Sequence, residues 1–142
     1  MYTFVQKFHS GWAYLALLLL FIATINSLIG HLTKKEFTAK DKKIALFGLV
    51  GVHIQLLVGF ILYFISVKGF TVLGEMKNSE LRLTSLEHPL INIIAIALIT
   101  IGWSKHKKAQ TSELKFKHLS FLYAIGLLLI LSRIPWKMWL NN

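Results

Sequence analysis

Four long apolar runs limit what this chain can fold into. They cover about residues 8–31, 44–66, 86–104 and 118–136, and each approaches the roughly 20 residues that an α-helix needs to cross a bilayer. Of the 142 residues, 55% are hydrophobic and 15% are charged, which is too apolar a balance for a soluble domain of this size. The sequence therefore predicts an all-α integral membrane protein, a four-helix bundle that forms a single domain over residues 1–142.

The formal net charge is +10, and the placement of the charges predicts how the helices cross the membrane. Lysines concentrate in the first and third loops, whereas the second loop balances basic residues with Glu75 and Glu80. The first loop has Lys34, Lys35, Lys40, Lys42 and Lys43, and the third has Lys105, Lys107, Lys108, Lys115 and Lys117. Because cytoplasmic loops carry the excess of Lys and Arg, we expect these two loops in the cytoplasm and both termini outside. They are expected to meet anionic lipid head groups rather than nucleic acid.

The two halves of the chain follow the same order. Each half has a histidine near its start (His9 and His88), an apolar run, a loop rich in lysine and a second apolar run. This order predicts a tandem repeat of two helix pairs, related by an axis along the membrane normal. The alternative is that apolar runs of simple composition imitate one another.

His9 and His88 are the strongest candidates for a functional site. With a rise of 1.5 Å per residue, His9 is expected roughly 15 Å and His88 roughly 10 Å toward the outside of the helix centres, so that they could share one layer. Imidazole suits iron, copper and zinc, and the chain has no cysteine to offer thiolate ligands. Zinc would require about four ligands, so the pair favours haem, with copper left open. The alternative is an interfacial pair that hydrogen-bonds to water or backbone.

Two further ionisable residues have open roles at this stage. Arg133 is expected roughly 9 Å toward the outside of its helix centre, where its guanidinium could bind a haem propionate, pair with Glu87 or extend to the interface. His53 is expected near the midplane, as a helix–helix hydrogen bond, a contact at a haem edge, a second ligand or a quinone hydrogen bond. Three other histidines flank the lysine loops and are expected to be solvated: His31, His106 and His118.

Several short motifs resemble a family of small bacterial four-helix membrane proteins described as cytochrome b-like. They are His9-Ser10-Gly11, the segment 52–59 with Gln55 and Gly59, Glu87-His88, and Arg133-Ile134-Pro135-Trp136. A weaker resemblance is to one half of haem A synthase, where a helix with a ligating histidine precedes a helix with Gln-x-x-x-Gly and then a helix with the second ligand. These resemblances imply a b-type haem with His9 and His88 as axial ligands and with Gln55 and Gly59 at the cofactor. The chain departs from the synthase in having one such unit.

The sequence thus predicts a multi-pass protein of a bacterial cytoplasmic membrane that binds haem b. Its expected role is electron transfer, with quinone as a candidate partner, or service as a haem-bearing subunit of a respiratory complex. Two alternatives remain open: a cofactor-free accessory or assembly subunit that contacts other membrane subunits or its own copies, and an oxidoreductase acting on a porphyrin or quinone. No nucleophile–base pair or carboxylate dyad indicates hydrolytic chemistry, and no catalytic residue is assigned.

Overall fold

The computed structural model describes residues 1–141, and this part of the chain is helical with no β-strand. It confirms the predicted all-α bundle of four long helices. The third long helix is composite, because a short helix and a π-helical turn over Leu83–Glu87 lead directly into its main part. The helices are α1 (Tyr2–Thr33), α2 (Ala39–Ile65), α3 (Ser79–Arg82), α4 (His88–Lys108), α5 (Ser112–Ser132) and α6 (Trp136–Leu140), with a single 3₁₀ turn over Phe70–Val72.

The helices extend beyond most of the apolar runs because local capping, rather than hydrophobicity, sets their ends. Helix α2 begins at Ala39, five residues before its apolar run, where Thr38 and Asp41 form a reciprocal capping box. Helix α3 is capped by the side chain of Asn78, so the sequence-based prediction of a cap at Thr84 or Ser85 is wrong. Helix α5 ends early, at Ser132, because Pro135 disfavours helical geometry just before it.

The four long helices form a closed ring in which α1 packs on α2 and α5, and α4 packs on α5 and α2. Small residues make the first of these contacts close. A Cβ atom built on Gly48 would lie 3.0 Å from Ala23 Cβ and 3.3 Å from the Leu19 carbonyl oxygen. The Trp12 indole donates to the Gly51 carbonyl at 2.9 Å across the same contact. Such seams of small residues are how helices associate inside a bilayer.

The contact between α4 and α5 has a glycine on each side. A Cβ on Gly102 would lie 2.9 Å from Leu122 Cβ, and a Cβ on Gly126 would lie 2.5 Å from Ile99 Cγ1 and 3.0 Å from the Ala95 carbonyl oxygen. The pairing of α1 with α2 and of α4 with α5 is the arrangement that a tandem repeat would produce. The duplication itself stays a prediction.

The end of the bundle that carries the first and third loops, here called the lysine end, has a buried carboxylate. Asp41 is 3% exposed and accepts hydrogen bonds from Asn26 at 3.0 Å, from Lys35 at 2.7 Å and from the backbone and hydroxyl of Thr38. These donors satisfy both carboxylate oxygens, as a buried charge requires. The network ties the first loop to α1 and α2.

His106 also lies at the lysine end, and the prediction that it is solvated is wrong. Its side chain is 1% exposed and packs against Trp103 and Phe37, with ring centroids 4.5 and 5.5 Å away. Its Nδ1 lies within hydrogen-bond distance of the Trp103 carbonyl. A histidine near lysines was taken for an interface residue, whereas the packing of the first loop across the bundle buries it.

The outer surface of the bundle is apolar along its length. Large side chains on every long helix are about half exposed or more, among them Leu18, Phe21, Leu57, Phe64, Ile93 and Leu128. Within residues 1–141, four helical segments are long and apolar enough to cross a membrane. The chain is therefore a multi-pass membrane protein by the length and composition of its helices.

Candidate functional site

A cavity of about 360 Å³ opens at the opposite end of the bundle, here called the histidine end. It lies within the range of roughly 300–1,000 Å³ that is usual for ligand pockets. Tyr2 and Asn141 both line it, so the two ends of the described chain lie on the same side of the bundle. Its inner walls are apolar and come from three helices, with Ala16 on α1, Val52 on α2 and Ile96 on α4.

The structure brings His9 and His88 together at this cavity, and both line it. Their ring centroids are 6.3 Å apart and the ring planes are inclined by 82°. A metal bound between two imidazoles holds each nitrogen at about 2.0–2.1 Å, so the ring centres on opposite sides of it lie about 6 Å apart. The observed separation therefore suits one metal ion shared by the two rings.

His88 is held by its second ring atom in the way that metal-binding histidines are. Its Nδ1 lies 3.0 Å from the Arg133 carbonyl oxygen, which can only accept, so we assign the ring proton to Nδ1 and leave Nε2 as the lone-pair nitrogen. The Arg133 carbonyl is available because α5 has ended at Ser132. Asn92, one turn along α4, donates to the His88 carbonyl. This outer contact fixes the tautomer and ring orientation that a metal ligand needs.

His9 is fixed through its backbone, and its ring is left without a partner. Gln55 on α2 donates to the His9 carbonyl at 2.8 Å, and Trp139 on α6 donates to the Ser10 carbonyl at 2.9 Å. Among residues 1–141, nothing hydrogen-bonds to the buried Nδ1 of His9 or to the buried Oε1 of Gln55. Two orphaned polar atoms at the wall of one cavity indicate a ligand or water there, because each would otherwise cost roughly 1–3 kcal/mol.

Gly59 makes room for the His9 ring. A Cβ atom at residue 59 would lie 3.2 Å from His9 Cε1 and 3.7 Å from His9 Nδ1. This spacing is tighter than most side-chain contacts, so a glycine here lets α2 pass directly behind the imidazole. Gln55 and Gly59, one turn apart, thus form the wall that sets the position of His9.

The other sequence-predicted residues lie outside the cavity. The side chain of Arg133 extends toward Glu87, with Nε 3.8 Å from Oε1, and Glu87 also binds Arg82 at 2.8 Å. Of the roles open to Arg133, the structure has the pairing with Glu87, while its carbonyl serves His88. His53 Nδ1 lies 2.8 Å from the Leu49 carbonyl and Nε2 lies 3.3 Å from Thr100 Oγ1. It therefore has the helix–helix hydrogen bond that was one of its alternatives.

Four residues of the site were not found from the sequence: Tyr63, Lys68, Asn92 and Trp139. Asn92 had an available signal, since it stands one turn after His88 inside an apolar run where an amide is costly. Trp139 had been assigned to the membrane interface, and its indole instead links α6 to α1. Lys68 and Tyr63 gave no local signal, because the fold of the second loop brings them to the cavity.

The fold and the cavity define a class, namely four-helix membrane proteins with two histidines facing a cavity at one end. Comparison of the chain with protein-family models, with curated proteins and with solved structures finds no match. Within residues 1–141, no group of three or more His, Cys, Asp or Glu side chains could hold a metal ion. A metal at this cavity would thus receive two protein ligands and need the remainder from elsewhere.

A leucine at residue 59 should displace the His9 ring. Because the first added carbon already lies 3.2 Å from His9 Cε1, Gly59→Leu must push the imidazole or the helix aside. We expect bound ligand at the cavity to be largely lost, measured as haem retained per protein after purification. The matched control is Gly11→Leu on α1, where an added Cβ meets no atom within 4 Å. Equal retention in the two variants would contradict the role of Gly59.

Proposed function

We propose that this chain binds one b-type haem at the histidine end, with His9 and His88 as its axial ligands. The observation that carries this proposal is the pair of imidazoles at one cavity, 6.3 Å apart, with Nδ1 of His88 on a backbone carbonyl. The geometry leaves Nε2 of His88 available as a ligand, and the His9 ring lacks a partner for Nδ1. Both features are what a metal shared by the two rings requires.

Haem is favoured over a bare metal ion by the number of ligands. A structural zinc site takes about four protein ligands, and the described residues offer no group of three. Copper with two histidines has the same shortage. A porphyrin brings its own equatorial nitrogens and needs two axial ligands from the protein, and when bound it supplies a one-electron iron couple. The donor set on the page therefore fits haem best.

The cavity walls offer what a haem needs besides its ligands. Apolar side chains of α1, α2 and α4 would exclude water from the ring, which favours a stable low-spin iron. Lys68 lies at the cavity, and its ammonium has the Met138 sulfur as a partner at 3.6 Å, a weak acceptor. Lys68 is therefore better placed than Arg133, which is paired with Glu87, to bind the carboxylates of a haem.

The role we propose is electron transfer, either alone or as the haem-bearing subunit of a respiratory complex in a bacterial cytoplasmic membrane. Quinone and other membrane subunits are the partners that such a role implies. The test is the visible spectrum of the protein purified from haem-replete membranes. An intense Soret band with split bands in the reduced form is expected, and a colourless protein would instead support the cofactor-free accessory subunit.

The membrane orientation is a second part of the proposal. Ten of the sixteen basic residues lie in loops one and three, so we propose that the lysine end is cytoplasmic and the histidine end faces outward. Reporter fusions after Lys40 and Lys108 should read as cytoplasmic, and a fusion at the C-terminus should read as external. A cytoplasmic reading at the C-terminus would place the haem site at the other side of the membrane and overturn this orientation.

A further inference from the structure

The turn that leads into His88 lacks one of its own hydrogen bonds. In a regular helix the backbone N–H of residue 89 would donate to the Ser85 carbonyl, and Pro89 has no N–H. The chain is also widened here, because the His88 N–H donates to Leu83, five residues back, rather than to Thr84. A π-helical turn of this kind is rare and marks functional sites in many proteins. Here it ends at the residue before a proposed ligand.

A residue from another helix satisfies the exposed carbonyl. The hydroxyl of Tyr63, near the end of α2, donates to the Ser85 carbonyl at 2.8 Å. Ser85 is 1% exposed, so water cannot readily replace the tyrosine. Tyr63 lines the cavity, and the second loop packs closely on it, since a Cβ on Gly69 would lie 2.2 Å from the Tyr63 carbonyl oxygen. The hydroxyl is therefore held in place from both sides.

We infer that Tyr63 is a positioning residue for His88: its hydroxyl replaces the amide that Pro89 lacks and thereby fixes the start of α4 and the direction of the His88 ring. The inference rests on the proposed function only in calling His88 a haem ligand. The hydrogen bond to Arg133 holds the far side of the same ring. Tyr63 thus fixes the backbone of the ligand and Arg133 fixes its imidazole.

The test compares Tyr63→Phe with Tyr14→Phe in the full-length protein. Both changes remove one hydroxyl and keep the ring, and Tyr14 is 57% exposed on α1. Hydrogen–deuterium exchange of the amides in residues 83–92, measured without added haem, should become faster in Tyr63→Phe and stay unchanged in Tyr14→Phe. Haem affinity, measured by titration with hemin, should fall roughly 10- to 100-fold, as when other outer-shell partners of metal ligands are removed.

A second variant separates the missing amide from any other effect of the tyrosine. Pro89→Ala supplies the N–H that Ser85 lacks, so Tyr63→Phe should cost much less haem affinity and protection in that background. An equal loss with and without Pro89 would overturn the account of the hydroxyl as a substitute for the amide. Unchanged exchange in Tyr63→Phe would overturn the inference itself.

Exchange and haem affinity also tell the two proposals apart. If the unaltered protein takes up no hemin, the proposed function fails, and faster exchange in Tyr63→Phe would still uphold the role of Tyr63 at the turn. Faster exchange with unchanged hemin affinity would overturn the link from the turn to His88 as a ligand.

Discussion

Replacing either His9 or His88 by alanine should abolish the low-spin haem spectrum of the purified protein. Each imidazole would supply one axial nitrogen, and the described part of the chain has no third histidine at the cavity to replace it. Loss of one ligand leaves a five-coordinate, high-spin iron, and loss of both should leave the protein without haem. The measurement is the reduced-minus-oxidised spectrum together with the haem content per protein.

Three histidine variants serve as controls for that result. His31→Ala and His118→Ala change rings outside the cavity, and they should leave the spectrum unaltered. His53→Ala removes a hydrogen bond between α2 and α4 and should weaken the fold without changing the type of spectrum. If His53→Ala abolishes the haem while His9→Ala retains it, helix α2 supplies a ligand and the pairing proposed here is wrong.

Exogenous imidazole adds a chemical test of the same assignment. In His88→Gly the lost side chain leaves space beside the Arg133 carbonyl, which accepts a ring N–H in the unaltered protein. Free imidazole should enter that space and restore part of the low-spin spectrum, since it can donate to the carbonyl and bind the iron. An alanine at Arg133 keeps the carbonyl, so Arg133→Ala should retain the haem.

The fold could be predicted from the sequence because it depends on the length of the apolar runs. A bilayer requires about 20 apolar residues per crossing, and four such runs allow few other arrangements. The ends of the helices could not be predicted equally well, since they depend on caps. Asn78 and the Thr38–Asp41 capping box extend two helices into polar sequence that hydropathy assigns to loops.

The pair at the centre of the site was accessible to sequence reasoning, and its surroundings were not. His9 and His88 stand at similar depth in two apolar runs, and counting residues along the helices brought them into one layer. The partner of His88 is a backbone carbonyl, which has no sequence signature. Arg133 was singled out for its charge, and the contact that matters depends on where α5 ends. Lys68 and Tyr63 reach the cavity only through the path of the second loop.

The bundle itself should be most sensitive to substitution at the glycine of α5 that faces α4. In Gly126→Leu the added Cβ would lie 2.5 Å from Ile99 Cγ1, which can rotate away, and 3.0 Å from the Ala95 carbonyl, which cannot. Helix α4 must move away from α5, and it carries His88 with it. We expect the protein to lose at least about 1–3 kcal/mol of stability, the usual cost of overpacking, with a marked fall in the melting temperature measured in detergent micelles.

The sign of the effect, rather than its size alone, separates packing from helix propensity. Leucine is a better helix former than glycine by roughly 0.8–1.0 kcal/mol, so a leucine placed where nothing opposes it should stabilise a helix. Gly11→Leu, where an added Cβ meets no atom within 4 Å, is therefore expected to keep or raise the melting temperature. Gly126→Leu should lower the melting temperature despite the same gain in propensity. If both substitutions raise it, α4 and α5 are not packed through Gly126, and the position of His88 on the face of α4 must be derived again.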